Sequence, residues 1–126
     1  MVTYKVIKRS NPLDRTQPDK HYALVVSDRN RDFLSLSRVI SKASTISETD
    51  CVAVLNELEL TIMEELSEGR PVKFGTLGVF KLSLSSKGVI DADQVTADLI
   101  TKSRVLFYPS KRIRKWLKTI EYKKAS

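Results

Sequence analysis

The chain has 126 residues, a formal net charge of +7, 41% hydrophobic and 29% charged residues. That balance belongs to one globular domain with room for a small extension, and it excludes a low-complexity chain. The single cysteine, Cys51, excludes an intramolecular disulfide, and no apolar run reaches the ~20 residues of a membrane span, so a cytoplasmic protein is expected.

The positive charge is unevenly spread. Residues 1–50 carry nine basic and six acidic side chains, residues 51–80 two and five, and residues 81–126 eleven and four. A basic C-terminal third points to a polyanion partner, nucleic acid first.

In chain order, "VTYKVIK" (2–8) and "YALVVS" (22–27) read as strands, separated by the turn-rich "RSNPLDRTQPDK". A polar connection, "DRNRD" (28–32), follows. Leu36, Val39, Ile40 and Ala43 share a helical face, which predicts a short helix over 36–43 with Ser35 as its N-cap. Ser47-Glu48-Thr49-Asp50 fits a capping box. From there Val54, Leu55, Leu58, Ile62 and Leu66 hold a helical stripe for about five turns, until Gly69 and Pro71 stop it. Two successive helices suit a DNA-reading helix-turn-helix, but the second carries Glu57, Glu59, Glu64, Glu65 and Glu68 and no cation. Phosphates would repel it, so it reads as a packing helix at a dimer interface.

Val72 and Phe74 form a short strand, and Phe80, Leu82 and Leu84 alternate with Lys81, Ser83 and Ser85 in a second. Gly75-Thr76-Leu77-Gly78 makes the corner between them. Residues 85–103 are polar, with "QVTADLI" open between strand and helical turn. "RVLFYP" is a strand, Ser110 caps a last helix "KRIRKWLKT", and "IEYKK" ends the chain as a short strand that offers the N-terminal strands a partner.

This order, with "ISETDCVAVLNELELTIMEEL", "LSEGRPVKFGTLGVFKL" and "VLFYPSKRIRKWL", resembles the bacterial histone-like HU and integration host factor family over about Leu36 to Thr119. The N-terminal thirty or so residues and the terminal "IEYKK" are extra, as in longer, N-terminally extended HU-related proteins. The resemblance implies an α+β fold: an intertwined homodimer with a helical base, a β-hairpin arm and a basic C-terminal helix, here with added N-terminal strands. The expected division is a β extension, residues 1–33, packed on the same domain as an HU-like DNA-binding domain, residues 34–126. The implied function is sequence-independent duplex DNA binding by a nucleoid-associated, DNA-condensing protein without a cofactor.

Under the resemblance Gly75 and Gly78 form the corner, Gly78 letting the backbone turn where the hairpin leaves the dimer body. Phe80 and Phe107 become the buried aromatics beneath the arm, and Leu77 stands where the family usually has a third phenylalanine. Leu55, Leu58, Ile62 and Phe74 complete the expected core and interface. Lys81, Lys87, Lys102, Arg104, Lys111, Arg112, Arg114, Lys115 and Lys118 are the expected DNA-contacting cations, which a dimer doubles into one broad basic saddle, with Lys123 and Lys124 beyond.

The arm departs from the family pattern. Residues 81–106 hold no proline, whereas the family tip wedges a proline between base steps. From Ser85 to Arg104, three cations meet three aspartates. That neutrality keeps open an HU-fold module for protein contact that has lost strong DNA binding. RNA binding is a third option, weakened by the few exposed aromatics. Catalysis is not expected: His21 is the only histidine, and no nucleophile motif, zinc spacing or glycine-rich phosphate loop occurs.

Overall fold

The computed structural model describes all 126 residues, in an α+β arrangement of three helices and two small sheets. The chain divides into two compact units: Met1–Asn30 with Trp116–Ser126, and Arg31–Lys115.

The first unit is a three-stranded sheet of β1 (Val2–Arg9), β2 (Lys20–Val25) and β6 (Tyr122–Lys124), in the order β2-β1-β6. β1 pairs antiparallel with β2 and parallel with β6, so the two ends of the chain share a sheet. The turn formers read between the first two strands build that connection by side-chain-to-backbone bonds. Asn11 Oδ1 accepts from the Leu13 N–H at 3.0 Å, and Asp14 Oδ1 from the Thr16 N–H at 3.0 Å.

The second unit opens with α1 (Phe33–Ala43), which begins three residues earlier than the expected span of 36–43. Asp32, not Ser35, is the N-cap: its carboxylate accepts from the Ser35 N–H at 2.8 Å. An aspartate one turn upstream captures an orphan donor as well as a serine does, and carries charge to the dipole. α2 (Glu48–Ser67) starts where its capping box lies, with Ser47 Oγ accepting from the Asp50 N–H at 3.1 Å. It ends in a Schellman motif. Gly69 takes φ +74°, its N–H reaches Leu66 O, and the Arg70 N–H reaches Glu65 O at 3.0 Å.

β3 (Val72–Phe74), β4 (Gly78–Ser86) and β5 (Ile100–Pro109) form an antiparallel sheet in that order. β4 and β5 stay paired from Gly78↔Pro109 to Ser86↔Ile100, with an irregularity at Ser85/Ser86. At 3.3–3.4 Å per residue the ribbon runs roughly 27 Å. Its tip, residues 87–99, is neither strand nor open loop. It folds into two 3₁₀ turns, Ala92–Gln94 and Ala97–Leu99, closed by the Lys87 N–H on Leu99 O at 2.8 Å. α3 (Lys111–Leu117) follows, and Ser110 Oγ caps it by accepting from the Ile113 N–H at 3.2 Å.

The two corner glycines have different jobs. Gly75 sits at φ +54°, the left-handed region that favours glycine. Gly78 has no such φ. A Cβ there would lie 2.7 Å from the Phe107 ring and run into the Tyr108 carbonyl. The turn therefore belongs to Gly75, and Gly78 serves close packing of β4 on β5.

Phe80 is the hub of the aromatic cluster, edge-on to Phe74 at 6.1 Å and tilted against Phe107 at 5.0 Å. Leu55, Leu58 and Ile62 on α2 are half-buried, as are Phe74 and Phe80. Phe107, expected to be buried, is 45% exposed, and Leu77 is 44% exposed. Within one chain, this side of the ribbon is only partly covered. Cys51 and Leu66 are the only fully buried apolar side chains.

Candidate nucleic-acid interface

Strand alternation sorts the β3-β4-β5 sheet into two chemically opposite faces. Directly paired residues point to the same side. The pairs Phe80↔Phe107 and Leu82↔Val105, with Val72, Phe74 and Leu84, therefore make one apolar face. The pairs Lys81↔Leu106, Ser83↔Arg104 and Ser85↔Lys102 make the other. Arg104 lies diagonally along that second face, donating to Ser85 Oγ at 2.5 Å.

Three expected contacts, Lys81, Lys102 and Arg104, thus stand together. A fourth cation joins them. Lys73 pairs with Val79, which shares the face of Lys81. Sequence reading passed over Lys73, although the apolar-polar-apolar "VKF" is the same alternation that assigns Lys81.

Beside the corner this face continues into a concavity of about 360 Å³, lined by Lys73, Thr76, Tyr108, Lys111 and Arg112 among others, with no carboxylate in its wall. Thr76 ties the start of α3 to the corner. Its carbonyl accepts from Ser110 Oγ, and its hydroxyl oxygen accepts from Arg112 Nη1 at 3.0 Å. The Ser110 N–H also donates to Leu77 O at 2.8 Å. Arg112 is therefore held, while Lys111, Arg114 and Lys115 are exposed on α3. Lys87 is exposed at the base of the tip. Lys118 lies beyond the second unit, in the segment that joins the N-terminal sheet.

None of these cations is neutralised by an ion pair. The three salt bridges are Lys8–Asp19, Arg38–Glu48 and Arg70–Glu65. The last, at 2.5 Å, raises the Arg70 pKa, through the hydrogen bond to Glu65 first and its charge second. The unit's acids sit on other elements: Asp32 at the start of α1, Asp50 and six glutamates on or just after α2, and Asp91, Asp93 and Asp98 in the tip. A face of cations outside any ion pair can neutralise phosphates, and it has no evident set of side chains for reading bases.

A family model described as an HU domain fused to wHTH, Ig, or glycine-rich motif, HU-HIG, matches residues 1–124. No curated protein matches the chain. Among solved structures, a crystal structure from Bacteroides vulgatus ATCC 8482, described as a "Putative bacterial DNA binding protein", superposes with a TM-score of 0.63 at 15% identity. The likeness covers 97% of this chain and 47% of that one, so this chain spans about half the length of its neighbour. At that identity the neighbour speaks for the fold, while the family model, covering nearly every residue, decides membership: the chain belongs to the HU-HIG family of HU domains.

Proposed function

We propose that this protein is a nucleoid-associated architectural protein that binds duplex DNA as a homodimer without sequence selectivity. The observation that carries the reading is the two-sided β3-β4-β5 sheet, whose polar face gathers Lys73, Lys81, Lys102 and Arg104 beside the Lys111 and Arg112 concavity. Membership of an HU family and the description of the Bacteroides neighbour support the same partner. Residues 34–126 are proposed as the HU-like DNA-binding part and residues 1–33 as its extension.

The dimer is argued from exposed surface. The chain exposes 11084 Å². A compact 14.3 kDa monomer is expected to expose roughly 6,800 Å², and two separate bodies of these sizes about 8,000 Å². The excess is apolar in character: Leu34, Val39, Val54, Leu60, Met63, Leu84, Val105 and Phe107 are all open to solvent. A second copy laid on the helices and the apolar ribbon face accounts for it.

Titration of duplexes of unrelated sequence across a salt series tests the binding. Replacing Lys81, Arg104, Lys111 and Arg112 by Ala is expected to weaken all duplexes equally. It should also flatten the salt slope by about 0.9 unit per lost phosphate contact. Absence of duplex binding at low salt overturns the reading. Bending is expected to be small, because no proline is available at the tip as a wedge.

A second reading, a protein-contact module, draws on the tip itself. There Ile90 is 99% exposed between Lys87 and the three aspartates. Duplex-independent capture of a partner through the tip, with no DNA affinity, is the outcome that favours it.

A further inference from the structure

The N-terminal sheet carries its own cationic face. β1, β2 and β6 together hold six lysines and arginines and no aspartate or glutamate. The pairs Lys5↔Leu24, Ile7↔Tyr22 and Arg9↔Lys20, with Thr3↔Lys123, set Lys5, Arg9, Lys20 and Lys123 on one side of the sheet. The guanidinium of Arg9 lies 6.0 Å from the centre of the Tyr22 ring, which matches that alternation. None of the four enters an ion pair, whereas Lys8, on the opposite side, is bound to Asp19 at 3.3 Å. At one end this face opens into a cleft of about 390 Å³. Arg9 and Lys20 are the only charged groups in its wall, alongside Asn11, Gln17 and Tyr22.

We propose that this face is a second contact surface for the phosphate backbone of duplex DNA, separate from the cations of the β3-β4-β5 sheet. Charge complementarity selects a polyanion, since four unpaired cations on rigid strands offer phosphate neutralisation with little ordering cost. The aromatic content selects duplex over single strand. Base stacking needs open aromatic rings, and this face presents a single one, Tyr22, already engaged by Arg9. The cleft between Arg9 and Lys20 is the place for a phosphate group.

The inference rests on the proposed duplex binding, and the test separates the two. The full chain carrying Lys5→Gln, Lys20→Gln and Lys123→Gln is titrated with a long duplex across a salt series, beside the Lys81/Arg104/Lys111/Arg112 variant. The expected result is a salt slope shallower by about 2–3 units in the N-terminal variant, with a loss adding to that of the other set. Duplex protection of Lys5, Lys20 and Lys123 from acetylation in the unaltered protein, read by mass spectrometry, is expected too and depends on no variant. An unchanged slope with unprotected lysines, while the other set weakens binding, overturns this inference alone. No duplex binding by the unaltered protein overturns both. Protection by oligo-dT that exceeds protection by duplex, and is lost in Tyr22→Ala, overturns the choice of duplex.

Discussion

The two sheets handle charge in opposite ways. In the unit Arg31–Lys115, thirteen basic and eleven acidic side chains nearly cancel, but most are sorted by element: glutamates on α2, aspartates in the tip, and eight of the cations on one sheet face and α3, while Arg38 and Arg70 pair with the α2 glutamates. The smaller unit, Met1–Asn30 with Trp116–Ser126, has nine basic and four acidic side chains, hence five of the seven net positive charges. Its strands contain no acid at all. A net-charge count by thirds of the chain hides this, because Lys118, Lys123 and Lys124 are close in sequence to α3 yet belong with β1. Net charge and the arrangement of cations are thus separate properties: a nearly neutral unit and a strongly positive one both gather cations on one sheet face.

The largest effect is expected from breaking the apolar side of the β3-β4-β5 sheet. Phe80 touches both Phe74 and Phe107, so Phe80→Ala removes the centre of the cluster. A cost of about 3–5 kcal/mol is expected in the assembled protein. Far-UV circular dichroism, dominated by α1 and α2, follows that unit. Trp116 is the only tryptophan; it lies in the last turn of α3, where the chain enters the other unit, and shares a cleft with Met1 and Val2, so its fluorescence follows the N-terminal sheet. The dichroism midpoint is expected to fall further than the fluorescence midpoint. Equal falls would mean that the two units unfold as one.

A smaller effect separates the corner glycines. Gly78→Ala drives a methyl group into backbone and ring, an overpacking cost of about 1–3 kcal/mol. Gly75→Ala meets no neighbour and pays only for a left-handed φ, about 1 kcal/mol, which Gly75→Asn should partly recover. Thermal denaturation ranks the three variants, and a Gly75→Ala cost above that of Gly78→Ala would reverse the assigned roles.

That pair also marks the limit of sequence reading. The glycine spacing gives a corner, and the period-2 pattern of Phe80 to Ser85 gives the strand and its two faces, because alternation is a local property. Which glycine turns and which yields space depends on Phe107, 29 residues away, through a register no local pattern encodes. The same holds for the cationic faces. Lys81 was legible from its own strand. That Lys73, Lys102 and Arg104 stand beside it follows only from the pairing of β3, β4 and β5. Asp32 is missed as a cap when the apolar stripe is counted from Leu36, although Phe33, three residues before it, continues the same spacing. The tip gives no clear local signal because "ADQ" and "ADL" are short turns, each held by backbone bonds alone.

The smallest effect compares the units through acid. Asp32 in the helical unit has its pKa lowered, first by the backbone hydrogen bond from Ser35 and next by the Ser35 side chain. Asp14 in the N-terminal unit has its pKa lowered, first by the Thr16 hydroxyl and next by the Thr16 backbone. In both, the folded carboxyl binds its proton less readily than the unfolded one. Each therefore contributes stability that is fully present above the ordinary carboxylate pKa of about 4. That stability is lost as pH falls from there through the lowered folded value. Asp32→Asn keeps an acceptor for the Ser35 N–H but removes the titration, so the acid limb of the helical dichroism signal is expected to flatten while Trp116 fluorescence keeps its profile. Asp14→Asn is expected to do the reverse. Both carboxyls are exposed, so each change is a small shift in the acid midpoint. A shift of the wrong probe by either variant would mean that the acid transition, unlike the charge, is shared between the two units.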